Sequence, residues 1–402
     1  MRRNPRIVFF LFSLLAVMLA CANPLGEAPS ESPLNVETIV AATFEALTQA
    51  APPTPTSSLL PASLYYLATD NIGRSQVFRL ERDGTTVTQL TSESDEVREF
   101  DVSPMDGSVV YIADNQLITV NADGSNRAMI FDGGAINENE PFITILRSPV
   151  WSPDGQTIAF GHQGLNLYSI IDGQSNRVLE DQVTEMEGGF FFPEELYWPE
   201  MYSADGNKLI ITLGYYESAS TAIYYPDGGS LVRLNGVEGA IICCGDYSLS
   251  SDASVLFSAS PYMGMFRAGL WRVDTATGAV TTLFQADYDS NPADVADNPF
   301  IAPDGQLYYF YASVPNPDGF IDRPPMQLVR SAADGVTGRT VLRPETFERM
   351  NEALWAPDAS FVIVANAQND QTYQGGAAQL YYTDGRPMIP LVLFARDMKW
   401  GP

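Results

Sequence analysis

Histidine is almost missing from this chain: His162 is the only one in 402 residues. A zinc site built on several histidines is therefore excluded, and any Ser-His or Cys-His mechanism would have to run through that residue. Cysteine is scarce as well. Cys21, Cys243 and Cys244 offer no C-x-x-C and no zinc spacing, and three cysteines make no disulfide framework. Basic residues are few, 22 against 49 acidic, for a formal charge of −27. Removing Arg2, Arg3 and Arg6 with a leader would leave 19 basic residues against 49 acidic, a net of −30. Such a surface repels phosphate backbones and anionic headgroups, which sets nucleic-acid binding aside. No G-x-S-x-G elbow occurs. No metal and no cofactor is expected.

What the chain has in quantity is strand-formers and punctuation: 19 Tyr and 21 Phe beside 31 Gly and 28 Pro. That mix favours many short strands joined by tight turns. The first 20 residues depart from it. A basic start precedes the apolar run from Ile7 to Leu19, broken only by Ser13, with the layout of a signal peptide. Its end, Met18-Leu19-Ala20-Cys21, resembles a bacterial lipobox, which implies lipidation of Cys21. Between Asn35 and Ala50, Val36, Ile39, Val40, Phe44 and Leu47 fall at helical spacing, and the Pro- and Thr-rich stretch 52–58 then forms a stiff spacer. Residues 21–61 are expected to be a tether, and 62–402 the folded body.

Inside the body one turn is written repeatedly. Ser152-Pro153-Asp154-Gly155 recurs as Ser103-Pro104-Met105-Asp106-Gly107, Ser203-Ala204-Asp205-Gly206, Ser250-Ser251-Asp252-Ala253, Ala302-Pro303-Asp304-Gly305 and Ala356-Pro357-Asp358-Ala359. The Pro-equivalent positions 104, 153, 204, 251, 303 and 357 lie 49, 51, 47, 52 and 54 residues apart, the length of a four-stranded propeller blade. A second series interleaves with it at Asp83-Gly84, Asp123-Gly124, Asp172-Gly173, Asp227-Gly228, Thr277-Gly278, Asp334-Gly335 and Asp384-Gly385. Seven outer hairpins stand against six complete inner ones. The missing strand is at the chain end, where Met398-Lys399-Trp400-Gly401-Pro402 copies the Trp-Ser-Pro strand, and 62–67 continues it. The expected fold is an all-β, seven-bladed β-propeller closed by a blade shared between the two ends.

The W-S-P-D-G-x-x-I-A-F repeat, followed by a strand ending in Asp-Gly, resembles the WD-repeat-like propeller repeats of the TolB family over about residues 62–402. The resemblance is to the propeller alone, because TolB has six blades and an N-terminal α/β domain. Propellers of this repeat type also precede the hydrolase domain of prolyl oligopeptidases.

Both turn series are short and open on one side of the ring, so the other two connections of each blade collect on the opposite side, where they are long and varied. Insertions gathered on one face commonly mark a binding face. Phe191, Tyr197, Trp198, Tyr215, Tyr216, Tyr262, Phe266, Arg267, Tyr288, Phe320, Arg323 and Tyr373 fall in these loops, and aromatics with a few arginines are common interface anchors. Cys243 and Cys244 sit there too, and the residues allow either a vicinal disulfide or a pair of buried thiols. Asp287-Tyr288-Asp289-Ser290-Asn291 opens like a calcium loop but lacks its Gly. The expected function is a tethered, extracytoplasmic, non-catalytic module binding an envelope protein, peptide or glycan. The alternative is a carbohydrate-active or other hydrolytic propeller using loop carboxylates.

Overall fold

The structure, a computed structural model, describes residues 58–235, 240–244 and 247–402. The leader, Cys21 and the stretch 35–50 lie outside the described residues. The described residues of the compact unit start at Ser58. Leu60 is part of it: its N–H donates to the Arg82 carbonyl (3.0 Å) and its side chain is buried beside Leu64.

The repeated turns fold for local reasons. At Ser152-Pro153-Asp154-Gly155, Gly155 takes φ 67°, a left-handed conformation that costs glycine nothing. The Ser152 hydroxyl donates to Asp154 Oδ1 (2.6 Å) and accepts the Thr157 N–H (2.9 Å), while Asp154 Oδ1 also accepts the Gln156 N–H (3.0 Å). The same hydroxyl-carboxylate pairs recur at Ser203–Asp205 and Ser250–Asp252, each at 2.6 Å. Outer turns work similarly: Asp83 and Asp334 each accept two backbone N–H groups and a threonine hydroxyl.

Among the described residues the strands form six antiparallel sheets, four with four strands, one with five and one with seven. Five sheets begin on the strands Glu99–Val102, Arg147–Trp151, Tyr247–Leu249, Ala293–Ile301 and Met350–Trp355. In the five-stranded sheet the long strand Phe191–Tyr202 holds the equivalent place, its first half paired with the added strand Gln182–Glu185. The seven-stranded sheet is made by Ile389–Trp400. Its first half pairs with Gly376–Tyr382 (Leu380↔Ile389), and its second half with Leu64–Thr69 (Leu64↔Trp400, Tyr65↔Lys399). The two ends of the folded body are thereby joined, and the Gly401 N–H extends the ladder to the Ser63 carbonyl (2.9 Å). This pairing leaves neither end as an open edge.

Apolar clusters bind each sheet to the next. Tyr65 and Leu67 pack with Phe100 and Tyr111, Ile112 with Phe160, Ala159 with Tyr197 and Ile211, Ile210 with Leu256, Phe257 with Tyr309, and Phe310 with Trp355 and Val364. A further cluster joins Ile363 and Leu380 to Leu64 and Met398 across the two halves of the long sheet. Each fully buried Leu or Phe among them contributes about 1.5–3 kcal/mol. Most successive first strands also lie against one another, with Ile389–Trp400 touching both Met350–Trp355 and Glu99–Val102, and the space they face is the channel of the propeller-like fold.

Candidate functional site

On the long-loop side, the aromatic residues expected to form a binding face divide into three groups. The first is partly structural. Tyr197 is only 4 % exposed and packs between sheets, its hydroxyl donating to Glu195. Tyr215 also donates to Glu195 (3.0 Å), which Arg233 pairs from outside. The Arg147 guanidinium stacks over Trp198 at 4.7 Å, and Tyr216, exposed, stacks on Phe192 at 5.1 Å. Phe191 is half-buried, its N–H donating to Glu140 (2.9 Å). A second group surrounds Cys243 and Cys244, which are joined by a disulfide. Tyr262, Phe266, Arg267 and Phe320 line a cavity of about 380 Å³ with both cysteines. In the third group Arg323 stacks over Tyr373 at 4.3 Å and donates to Asn351 (2.9 Å), and Tyr373 donates to Asp322 (3.2 Å). Tyr288 stands exposed, its ring covering Gly319. The calcium-like segment closes on itself, with Asp287 Oδ1 accepting from Asp289 N–H (3.2 Å) and the Ser290 hydroxyl (3.1 Å). Among the described residues no group of three or more His, Cys, Asp or Glu is placed to hold a metal ion. His162 is buried, edge-on to Phe131, and burial pushes its pKa down.

The channel holds ionisable groups that the sequence reading passed over. Glu99 accepts the Ser148 N–H, and Asp101 accepts the Trp151 N–H (2.6 Å), each from the first strand of the next sheet. Glu352 likewise accepts the N–H groups of Asp397 (2.8 Å) and Met398. Ser248 does the same work with a hydroxyl, accepting from Ile301 N–H (2.9 Å). The receiving strands are bulged. Ser148 (φ 50°), Asn298 (φ 45°) and Asp397 (φ 57°) are left-handed at equivalent repeat positions, where the strand registers shift. The bulge turns one N–H out of the ladder and toward a neighbour. Glu99 and Asp101 are clips between sheets, and Glu352 clips the two halves of the long sheet.

Their environment moves their pKa values. Burial pushes Glu352 and Glu200 up to about 7, with the Asp397 charge adding to the rise at Glu352. Burial raises Asp181 to about 6 and also raises Glu99 and Asp101. Lys399 lies 3.4 Å from Asp101; burial works against its charge, but Asp101 and Asp397 outweigh burial and raise its pKa. The Lys399 and Asp101 side chains keep 30 % and 16 % of their surface, so they are deep in the molecule yet open to the channel.

A signal for this site does exist in the sequence. The position five residues before the turn proline or its equivalent is Glu99, Ser148, Asp246, Asn298, Glu352 and Asp397 in six copies, with Pro199 in the other. A polar residue recurring at one repeat position is the sequence mark of this wall. Along the channel wall, Glu352, Asp397, Tyr247, Phe300, Trp355 and Trp400 line, with Cys244, a cavity of about 590 Å³.

No protein-family model matches the chain, and no curated protein matches its sequence. Solved structures do. A prolyl endopeptidase is 14 % identical with a TM-score of 0.51, over 92 % of this chain and 57 % of that one. This chain thus spans little more than half of that enzyme. An oligogalacturonate lyase in complex with manganese is 11 % identical with a TM-score of 0.50, over 82 % of this chain and 86 % of that one. TolB from Acinetobacter baumannii is 13 % identical with a TM-score of 0.45, over 95 % and 76 %. Identities this low speak to fold and not to activity. The fold is an all-β, propeller-like assembly of antiparallel sheets.

Proposed function

We propose that the chain is a seven-bladed propeller, exported and held to a bacterial membrane by a lipid on Cys21, that binds an envelope protein, peptide or glycan on its long-loop side without catalysis. Seven apolar clusters linking successive sheets, and the double pairing of Ile389–Trp400, support the blade count. The basic-apolar leader and the lipobox-like end support export and anchoring.

One observation carries the binding role: the two sides of the ring are unlike. The turn side is built from short, self-satisfied turns. The loop side exposes Tyr216, Tyr262, Tyr288, Phe320 and Tyr373, all large rings able to anchor a partner. The hydrolytic alternative would rest on Glu352 and Asp397, which share a cavity. Glu352, however, repeats the clip made by Glu99, and both its oxygens already accept backbone N–H groups. The non-catalytic reading is preferred for that reason.

The experiment is photo-crosslinking in intact cells, with a benzophenone amino acid placed at Tyr288, Phe320 or Tyr373 on one side and at Met105 or Asp304 on the other. Adducts of one mass confined to the loop-side positions are expected. Equal labelling from the turn side, or none from either, would overturn the proposal.

A further inference from the structure

The cavity of about 590 Å³ along the channel wall has a composition of its own. Glu352 and Asp397 are its charged lining residues, and neither lysine nor arginine reaches its wall. Phe300, Trp355 and Trp400 supply aromatic surface, with Phe300 and Trp355 stacked at 5.7 Å. The indoles are fixed in place: Trp355 Nε1–H donates to the Asn298 carbonyl (3.0 Å), and Trp400 Nε1–H to the Trp355 carbonyl (2.7 Å). Both indole donors are therefore spent on the protein, leaving ring surface and not N–H groups to meet a guest.

Asp397 is the odd member. It is exposed, and its carboxylate takes part in no hydrogen bond among the described residues. Its backbone stands at φ 57°, a left-handed conformation that aspartate tolerates as asparagine does. The nearest cation, Lys399, lies 3.4 Å from Asp101, and the charges of Asp397 and Glu352 also favour its protonated form. A clip needs only the backbone N–H of residue 397, so its charge is not explained by the closure of the sheet. A volume of about 590 Å³ is that of a small-molecule site. Carboxylates beside fixed aromatic rings, with no lysine or arginine among the lining residues and Lys399 seated on Asp101, suit a positively charged organic group.

We propose that this cavity binds an organic ammonium ion, its charge held by Asp397 and Glu352 and its alkyl groups against Trp355, Trp400 and Phe300. The site shares Cys244 with the loop-side cavity but is built on other side chains than the partner-binding role proposed above, so either can fail without the other.

The test is titration of the full-length chain with choline, tetramethylammonium and 1,5-diaminopentane, read by tryptophan fluorescence and by calorimetry. The neutral isostere of choline, 3,3-dimethylbutan-1-ol, is the control. At least one cation is expected to bind saturably, with the isostere weaker by about tenfold or more. Asp397→Asn keeps the backbone conformation and is expected to weaken the cation by about tenfold while leaving the unfolding midpoint unchanged. Glu352→Gln, which retains one acceptor for the clip, provides a second reading. Three results would each sink the proposal: no saturable cation, an isostere that binds equally well, or undiminished affinity in both variants.

Discussion

Two sets of carboxylates divide this molecule. The turn aspartates, among them Asp83, Asp154, Asp205 and Asp252, stand at the surface, and hydrogen bonds from neighbouring hydroxyls and N–H groups hold their pKa values down, to about 2 for Asp83 and Asp252. Glu352 also accepts N–H groups, and Glu200 accepts the Thr212 hydroxyl (2.5 Å), yet burial carries both up to about 7. Similar donors act on both sets, and solvation decides the sign. The turn set is local and closes one hairpin per residue. In the channel set Glu99 and Asp101 reach across to another sheet, and Glu352 ties the two halves of the long sheet together.

The largest effect expected from breaking this division is at the closure. Glu352→Ala would strand the Asp397 and Met398 N–H groups and should cost about 2–4 kcal/mol in denaturant unfolding, taking about 1–2 per lost acceptor. A cost no greater than that of a turn substitution would remove the distinction.

The pH dependence comes next. Glu200 and Glu352 hold their protons more tightly when folded than a free glutamate does. Their contribution is therefore fully present below about pH 4.5 and is lost as pH rises through about 7. The turn aspartates act in the opposite sense: their contribution is present above about pH 4 and is lost as pH falls toward 2. Stability should peak near pH 5 and decline by about 1 kcal/mol per channel acid by about pH 8, after allowance for channel water. Melting temperatures across that range check it, and the Glu200→Gln, Glu352→Gln double variant should flatten the alkaline side. A decline unchanged in the double variant would place its origin elsewhere.

Asp154→Ala should have the smallest effect, about 1 kcal/mol or less, because two local hydrogen bonds go and the turn still has Gly155 and Pro153. Its effect should be the same at about pH 5 and about pH 8, unlike that of the channel variants.

The repeat made the architecture readable before any coordinates. Turn chemistry is local, so Ser-Pro-Asp-Gly and Asp-Gly announce hairpins wherever they stand, and the copy ending at Pro402 announced the closing strand. The stretch from Asp181 to Pro199 reads as a loop, but it carries the strand Gln182–Glu185 and most of Phe191–Tyr202. The hydrogen bonds of that added hairpin come from pairing with a segment that no repeat copy contains. Tyr197 reads as a loop aromatic for the same reason, and the strand turns it into the core. The channel acids were hidden differently. Glu99 and Glu352 look like ordinary charged residues in a chain with 49 acids, and only the ring brings each against the N–H of the following sheet.

The most direct test of the division between turn and channel is a carbon-13 titration of the side-chain carboxyls in the folded protein. Glu200 and Glu352 should titrate near 7 while Asp83 and Asp252 titrate near 2. Channel glutamates titrating at the ordinary value of about 4.3 would contradict the account.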